Sequence, residues 1–328
     1  MKLRDLLLRA ALCALGAAAA IASATPAHAA LGCTFTITNI AFGNINLLAN
    51  TNFDTTGTLT ANCTGAVANS TTRVCPNLNA GSGGTTTGNP RFMLNGANQL
   101  SYNLYQDAAR TTVWGSYLWA FTSFTAPTLN ITMNASGAGS GSLTIYGRVN
   151  SGQQTDAAGS YISTFSGATH VRISYARSTV GNCAAIASTN ATSVTFTVTA
   201  TFPATCTVAS TTLPFGSAGV LTALRDATST VTATCSSTTP YTIALNGGTT
   251  GATDPTQRKM SKGAERITYG LYRDAARTLP WGSTTGTNTA SGTGSGVGQA
   301  FTVYGRVPAQ STPSAGAYAD TIIATVTY

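Results

Sequence analysis

Sixteen residues from Leu100 to Gly115 recur 167 positions later, from Ile267 to Gly282, with ten identities, and this duplication limits what the chain can fold into. Upstream, Met93, Gly96 and Ala97 keep that offset to Met260, Gly263 and Ala264. Downstream, Tyr146-Gly147-Arg148-Val149 returns as Tyr304-Gly305-Arg306-Val307 at an offset of 158, so the first copy holds nine extra residues after its Trp-Gly. The starts agree as well: Cys33 precedes Phe42-Gly43 by nine residues and Cys206 precedes Phe215-Gly216 by nine. A 328-residue chain built this way reads as two tandem domains behind a leader, with expected boundaries at 1–29, 30–202 and 203–328.

Within each repeat, short alternating runs are separated by Gly, Asn and Ser: Thr34 to Ile40, Thr58 to Ala61, Leu100 to Tyr105, Leu143 to Tyr146 and His170 to Tyr175. Only 8% of residues are charged, and Thr, Ser, Gly, Ala and Asn dominate, which suits strands and tight turns rather than helices. The expected class is all-β, two antiparallel immunoglobulin-like sandwiches.

The first residues read as a secretion leader. Lys2, Arg4 and Arg9 precede an apolar run from Ala10 to Ile21, and Ala27-His28-Ala29 supplies small residues for cleavage before Ala30. The run is too short to span a bilayer. Cleavage removes Cys13, one of seven cysteines, and leaves six in an exported and therefore oxidising setting. Duplicated intervals of 30 and 29 residues pair Cys33 with Cys63 and Cys206 with Cys235, leaving Cys75 and Cys183 for each other. With His170 the one histidine outside the leader and no Cys-x-x-Cys, no metal or other cofactor is expected. The formal charge of +8 drops to about +6 without the leader, and no basic cluster favours nucleic acid.

The repeated motif has a structural reading. Tyr102 and Leu104, with Tyr269 and Leu271, alternate as strand residues; Asp107-Ala-Ala-Arg110 reads as a turn in which Asp accepts backbone N–H bonds; Trp114 and Trp281 are expected to cover the sandwich edge. Eight carboxylates outside the leader and a lone histidine offer no acid–base pair or activated nucleophile, so no catalytic residues and no enzymatic activity are expected.

The two repeats end differently. After the first, the chain continues into a run in which Val194, Phe196, Val198, Ala200 and Phe202 share one face, and residues 193–202 are expected to complete that sandwich from within the chain. The second ends with Thr321 to Tyr328, whose Ile322, Ala324, Val326 and Tyr328 are expected to form an edge needing a strand from another molecule.

Through Tyr-x-Leu-Tyr-x-Asp-Ala-Ala-x-Thr-x-x-Trp-Gly, Tyr-Gly-Arg-Val and the Asp320 to Tyr328 run, the chain resembles the spore coat protein U family, which includes subunits of archaic chaperone-usher pili. The resemblance implies incomplete immunoglobulin-like sandwiches. It also implies a periplasmic chaperone and an outer-membrane usher as partners, and an adjacent pilus subunit that donates a strand to the second domain. With only Ala30-Leu31-Gly32 ahead of Cys33 after cleavage, the expectation is a subunit that receives a strand and cannot donate one, exported through the periplasm to the pilus tip.

The excess in the first repeat begins Ser116-Tyr-Leu-Trp-Ala-Phe-Thr-Ser-Phe124, where the second has small polar residues. Tyr117, Leu118, Trp119, Phe121 and Phe124 are expected to form an exposed loop that binds an abiotic or host surface, with biofilm formation as the outcome. Packing of that loop on its own sandwich is the competing reading. Asn79 to Asn89 reads as a second, glycine-rich loop. The alternative function is a coat or fibre-shaft protein without an adhesive role, and N-terminal sequencing of the exported chain separates the two.

Overall fold

The computed structural model describes residues 30–86, 90–119 and 124–328; the expected leader lies outside them, as does Phe121. The first repeat contains β1 (Gly32–Ile37), β2 (Ile40–Asn44), β3 (Phe53–Thr64), β4 (Thr71–Leu78), β5 (Arg91–Asn95), β6 (Asn98–Tyr105), β7 (Leu129–Thr132), β8 (Gly139–Val149) and β9 (Gly159–Phe165). One helical turn, α1 (Gly167–His170), then leads to β10 (Val171–Arg177) and, after a linker, β11 (Phe196–Phe202). The second repeat contains β12 (Cys206–Ser210), β13 (Arg225–Cys235), β14 (Pro240–Leu245), β15 (Arg258–Lys262), β16 (Glu265–Tyr272), β17 (Ala290–Thr293), β18 (Gln299–Val307) and β19 (Ala324–Thr327).

Period-two patterning explains why these segments are strands. Along β3, Leu59, Ala61 and Cys63 are buried while Asp54, Thr56, Thr58, Thr60 and Asn62 face water, so β-branched threonines cover the outside of an apolar face. In the first repeat an eight-stranded sheet, β1-β3-β8-β6-β5-β9-β11-β2, faces a three-stranded sheet, β10-β4-β7. In the second, a five-stranded sheet, β12-β13-β18-β16-β15, faces β17-β14-β19. Each pair of sheets encloses its own core.

Two expected runs are broken. Thr34 to Ile40 divides at Thr38-Asn39 because β1 pairs with β3 whereas β2 crosses to pair with β11. His170 closes α1 instead of starting a strand, and its Nδ1 accepts from the Ser166 N–H.

The repeated motifs are packing devices. Trp114 and Trp281 do not cover an edge: each is 1% exposed, inside the core, because its indole N–H finds an acceptor there, the carbonyl of Pro76 or of Ile243. Asp107 accepts the N–H groups of Thr111 and Thr112, and Asp274 those of Thr278 and Leu279, which closes the Asp-Ala-Ala-Arg turn. Arg110 then leans over the Tyr146 ring toward Asp54, which Arg148 grips with two bonds; Arg277, Tyr304, Asp226 and Arg306 repeat this. The glycine of Tyr-Gly-Arg-Val is required by close approach: a Cβ on Gly147 would sit 3.1 Å from the Phe42 ring, and one on Gly305 2.9 Å from that of Phe215.

A duplicated residue that the sequence reading passed over is a buried arginine. Arg91 and Arg258, 167 apart, are 0% exposed and donate to the carbonyls of Leu78, Asn79 and Trp114, and of Leu245, Asn246 and Trp281. Burial lowers the Arg91 guanidinium to about 10, still charged at neutral pH. Five donors in a fixed fork let it tie three chain segments together where no water reaches.

Three disulfides are present. Cys33–Cys63 and Cys206–Cys235 join directly paired strands, with Cα atoms 4.1 Å apart. Cys75–Cys183, spanning 108 residues, ties β4 to the linker after β10. That linker runs back along β10, with Ile173 and Thr192 exchanging N–H to carbonyl bonds, and so delivers the chain to β11. At the position of the second repeat that matches Cys75 the residue is Thr242, so this bridge has no counterpart there.

Candidate functional site

Closure of the first repeat depends on β11. It lies antiparallel to β9, from Phe196 opposite Phe165 to Phe202 opposite Gly159, and parallel to β2, with Val198 beside Ile40. Phe196, Val198, Ala200 and Phe202 are 0–3% exposed. Burying Phe196, Val198 and Phe202 contributes about 2 kcal/mol each. Val194 precedes the strand and packs, half-buried, against the same core.

The register identifies the same place in the second repeat. Leu94 pairs with Ile162 as Ser261 pairs with Ala319, and Gly159 and Gly316 share φ values of 151° and 153°. Tyr318, Asp320 and Ile322 therefore stand where Tyr161, Ser163 and Phe165 do, and Leu213 and Phe215 stand where Ile40 and Phe42 do. No strand lies between these two lips. A groove of about 520 Å³ runs there instead, floored by Val231, Met260, Leu271 and Val303. Phe165 and Ile40 are 0% exposed, whereas Ile322 and Leu213 are only half-buried.

Both lips carry unpaired backbone. The main-chain N–H and C=O groups of Tyr318, Asp320 and Ile322 have no protein partner, nor do those of Leu213 and Phe215. Such a row of free groups beside an apolar floor is a template for an extended segment.

The rim at 318–323 is held from behind. Ser261 exchanges backbone bonds with Ala319, while the Asn246 N–H donates to the Ile323 carbonyl and the Asn246 side-chain oxygen accepts from the Ile323 N–H. The Asp320 carboxylate accepts from the Thr249 N–H at 2.8 Å, the Thr249 hydroxyl at 2.7 Å, the Thr321 N–H at 2.8 Å and the Tyr269 hydroxyl at 2.6 Å. Burial acts to raise its pKa, but the bonds from Tyr269 and Thr249 outweigh that and hold it below the ordinary aspartate value. Tyr269 is pushed up, by burial first and then by donating to this carboxylate. Lys262, Glu265, Ser314 and Tyr318 form a second polar clasp at one end of the rim.

Of the residues expected at the accepting edge, Ile322 and Ala324 line the groove. The expected run from Thr321 is a strand only over β19, where Val326 pairs with Ile243 and packs half-buried on the core; Tyr328 is 56% exposed. The sequence reading missed Asp320, Tyr269 and the Leu213–Phe215 lip as parts of the site. The conspicuous signal was Asp320 standing where the first repeat has Ser163.

The surface loop is divided. The N–H groups of Gly115 and Ser116 bond to the carbonyls of Thr125 and Phe124, closing its base. Tyr117 is 39% exposed, Leu118 and Trp119 are half-buried, and Phe124 packs beside Ala80, Tyr105 and Val113 of its own repeat. The nine-residue excess does not all fall here. Asn130 pairs with Arg73 as Thr293 pairs with Pro240, so the offset falls from 167 to 163 by β7 and to 158 by β8. Four extra residues thus lengthen the loop and five the β7–β8 turn. Residues 87–89 of the glycine-rich loop are outside the described residues. Among the described residues no cluster of His, Cys, Asp or Glu could hold a metal, and no helix is long and apolar enough to cross a membrane.

Comparison with known proteins follows the repeats. The Spore Coat Protein U domain family profile matches residues 18–167 and 192–325. Protein U of Myxococcus xanthus is 33% identical over 81 residues, 25% of this chain, and the match spans 45% of the length of that relative. Among solved structures, the CsuC-CsuE chaperone-tip adhesion subunit pre-assembly complex of archaic Csu pili from Acinetobacter baumannii contains a chain with the same fold. The superposition has a TM-score of 0.52 at 14% identity and covers 90% of this chain and all of that one. The CupB6 tip adhesin from Pseudomonas aeruginosa superposes more loosely, with a TM-score of 0.37 at 10% identity over 91% of this chain and 94% of that one.

Proposed function

The chain belongs to the Spore Coat Protein U domain family, and from that premise we propose that it is an exported, non-enzymatic subunit of a chaperone-usher surface fibre, set at the tip. The observation that carries this reading is the contrast between two homologous sandwiches. The first is filled by its own strand and the second has an apolar groove with bare backbone on both lips. A chaperone occupies that groove in the periplasm, an usher passes the subunit outward, and an adjacent subunit supplies the lasting strand. The tip position draws support from the fold shared with a tip adhesion subunit and from a first repeat closed by its own backbone.

The groove is tested by extending the chain beyond Tyr328 with a flexible linker and a second copy of residues 193–202. A filled groove gives a second repeat that unfolds cooperatively at higher denaturant and no longer self-associates. An extension that changes neither property overturns the proposal.

In this reading the first repeat touches the surface through the loop that Tyr117 and Trp119 occupy. Replacing both with Ser, while leaving Phe124 to pack, should remove attachment of fibre-bearing cells to plastic or to host cells without reducing fibre number. Undiminished attachment assigns adhesion elsewhere.

A further inference from the structure

The two repeats hold the rim of the groove in different ways, and the difference falls on one residue. In the first, β9 is flanked along its length by β11, and Ser82 bonds the main chain of Thr164 through both its N–H and its hydroxyl. Ser163, on the same strand, is fully buried and lies opposite Val198. In the second, nothing flanks the rim on the groove side. Thr249, 167 residues after Ser82, turns both of its donors to the Asp320 side chain instead, and Tyr269 reaches the same carboxylate from β16.

A bare edge beside an apolar groove has two unproductive fates: it can fray, or fold into the groove and cover the floor. Four donors from three segments on one ionised carboxylate oppose both, since charge-assisted bonds are the stronger kind and each is directional. The anchoring uses only the side chain. The main chain of Asp320 stays free and, by the Ser163–Val198 register, faces the middle of the incoming segment.

We propose that Asp320 is a positioning residue that keeps the second repeat's groove open and its edge aimed, doing for the unfilled repeat what β11 does for the filled one. This rests on the reading that the groove accepts a strand. Serine at this position suffices in the first repeat because the strand is already there; a carboxylate is needed where the edge must wait.

The test uses residues 30–328 with disulfides formed and, as probe, a fluorescent peptide of residues 193–202, whose capture is followed by anisotropy. Asp320→Ser should capture the peptide about tenfold more slowly than wild type, a loss equal to about one charge-assisted bond. Asp320→Asn should fall between the two, because its amide oxygen still accepts from Thr249 and Thr321 but without the charge and without the second acceptor that Tyr269 uses. A Ser variant as fast as wild type, or an Asn variant as slow as the Ser variant, overturns the proposal. A second arm does not depend on the peptide: amide exchange at Thr249 and Thr321 should quicken in Asp320→Ser while that of Leu245 in the core holds, and unchanged exchange also overturns it. If wild type ignores the peptide, the strand-accepting reading fails, and the exchange arm still decides whether Asp320 holds the rim.

Discussion

The ring of Phe196 stacks on that of Phe165 with centroids 4.5 Å apart and planes 11° from parallel. At the matching place in the second repeat, Ile322 is half-buried and nothing lies over it. The stack joins the chain's own closing strand to the lip it covers, so it sits where loss of packing opens the first repeat. Phe196→Ala should destabilise that repeat by about 3–5 kcal/mol, the range for a buried aromatic truncated to Ala. Urea unfolding followed by a probe in the first repeat measures this, and a cost below about 1 kcal/mol would show that β11 contributes little to closure.

Cys75–Cys183 acts on the same closure from outside the core. It fixes the linker that carries the chain from β10 back to β11, and Ser174 and Ile173 bond to that linker at Ala187 and Thr192. The double variant Cys75→Ser, Cys183→Ser should lose about 2–5 kcal/mol in the first repeat and leave the second unchanged. Differential scanning calorimetry resolves the two transitions; equal shifts in both would contradict the assignment of the bridge to the linker.

Acid–base behaviour should show two opposite slopes. Burial pushes Asp156, in the β8–β9 connection, up to about 6. That lies above the ~3.9 of an unfolded aspartate, so the folded chain holds the extra proton and stability falls as pH rises from about 4 to 6. Asp107 behaves inversely: N–H bonds from Thr111 and Thr112 hold it at about 2, so its contribution is present above about pH 4 and is lost as pH falls toward 2. Denaturant titrations at stepped pH should show Asp156→Asn flattening the upper window only. A variant that keeps the wild-type slope there would place the buried charge elsewhere.

Much of the architecture is legible in local patterns and in the duplication. Alternation along Phe196, Val198, Ala200 and Phe202 puts them on one face whatever they meet, because side chains in a strand repeat every two residues. Recurrence of Cys33 and Cys63 as Cys206 and Cys235 specifies two bridges, because two copies of one fold place equivalent residues alike. The Asp107 turn is readable for the same reason that its bonds span only four and five residues.

What stays hidden depends on partners far along the chain. In the Thr34 to Ile40 run a single Asn39 is too weak a breaker to announce the division; β2 leaves because its partner β11 lies more than 150 residues away. Arg91 and Arg258 read as surface charges until three carbonyls from two other segments converge on each. Asp320 reads as one more polar residue before a strand, and its meeting with Thr249, 71 residues earlier, arises only when two sheets stack. Period and repetition act over a few residues and need only the chain; burial, charge pairing and the open groove are properties of surfaces brought together, and packing alone selects which surfaces those are.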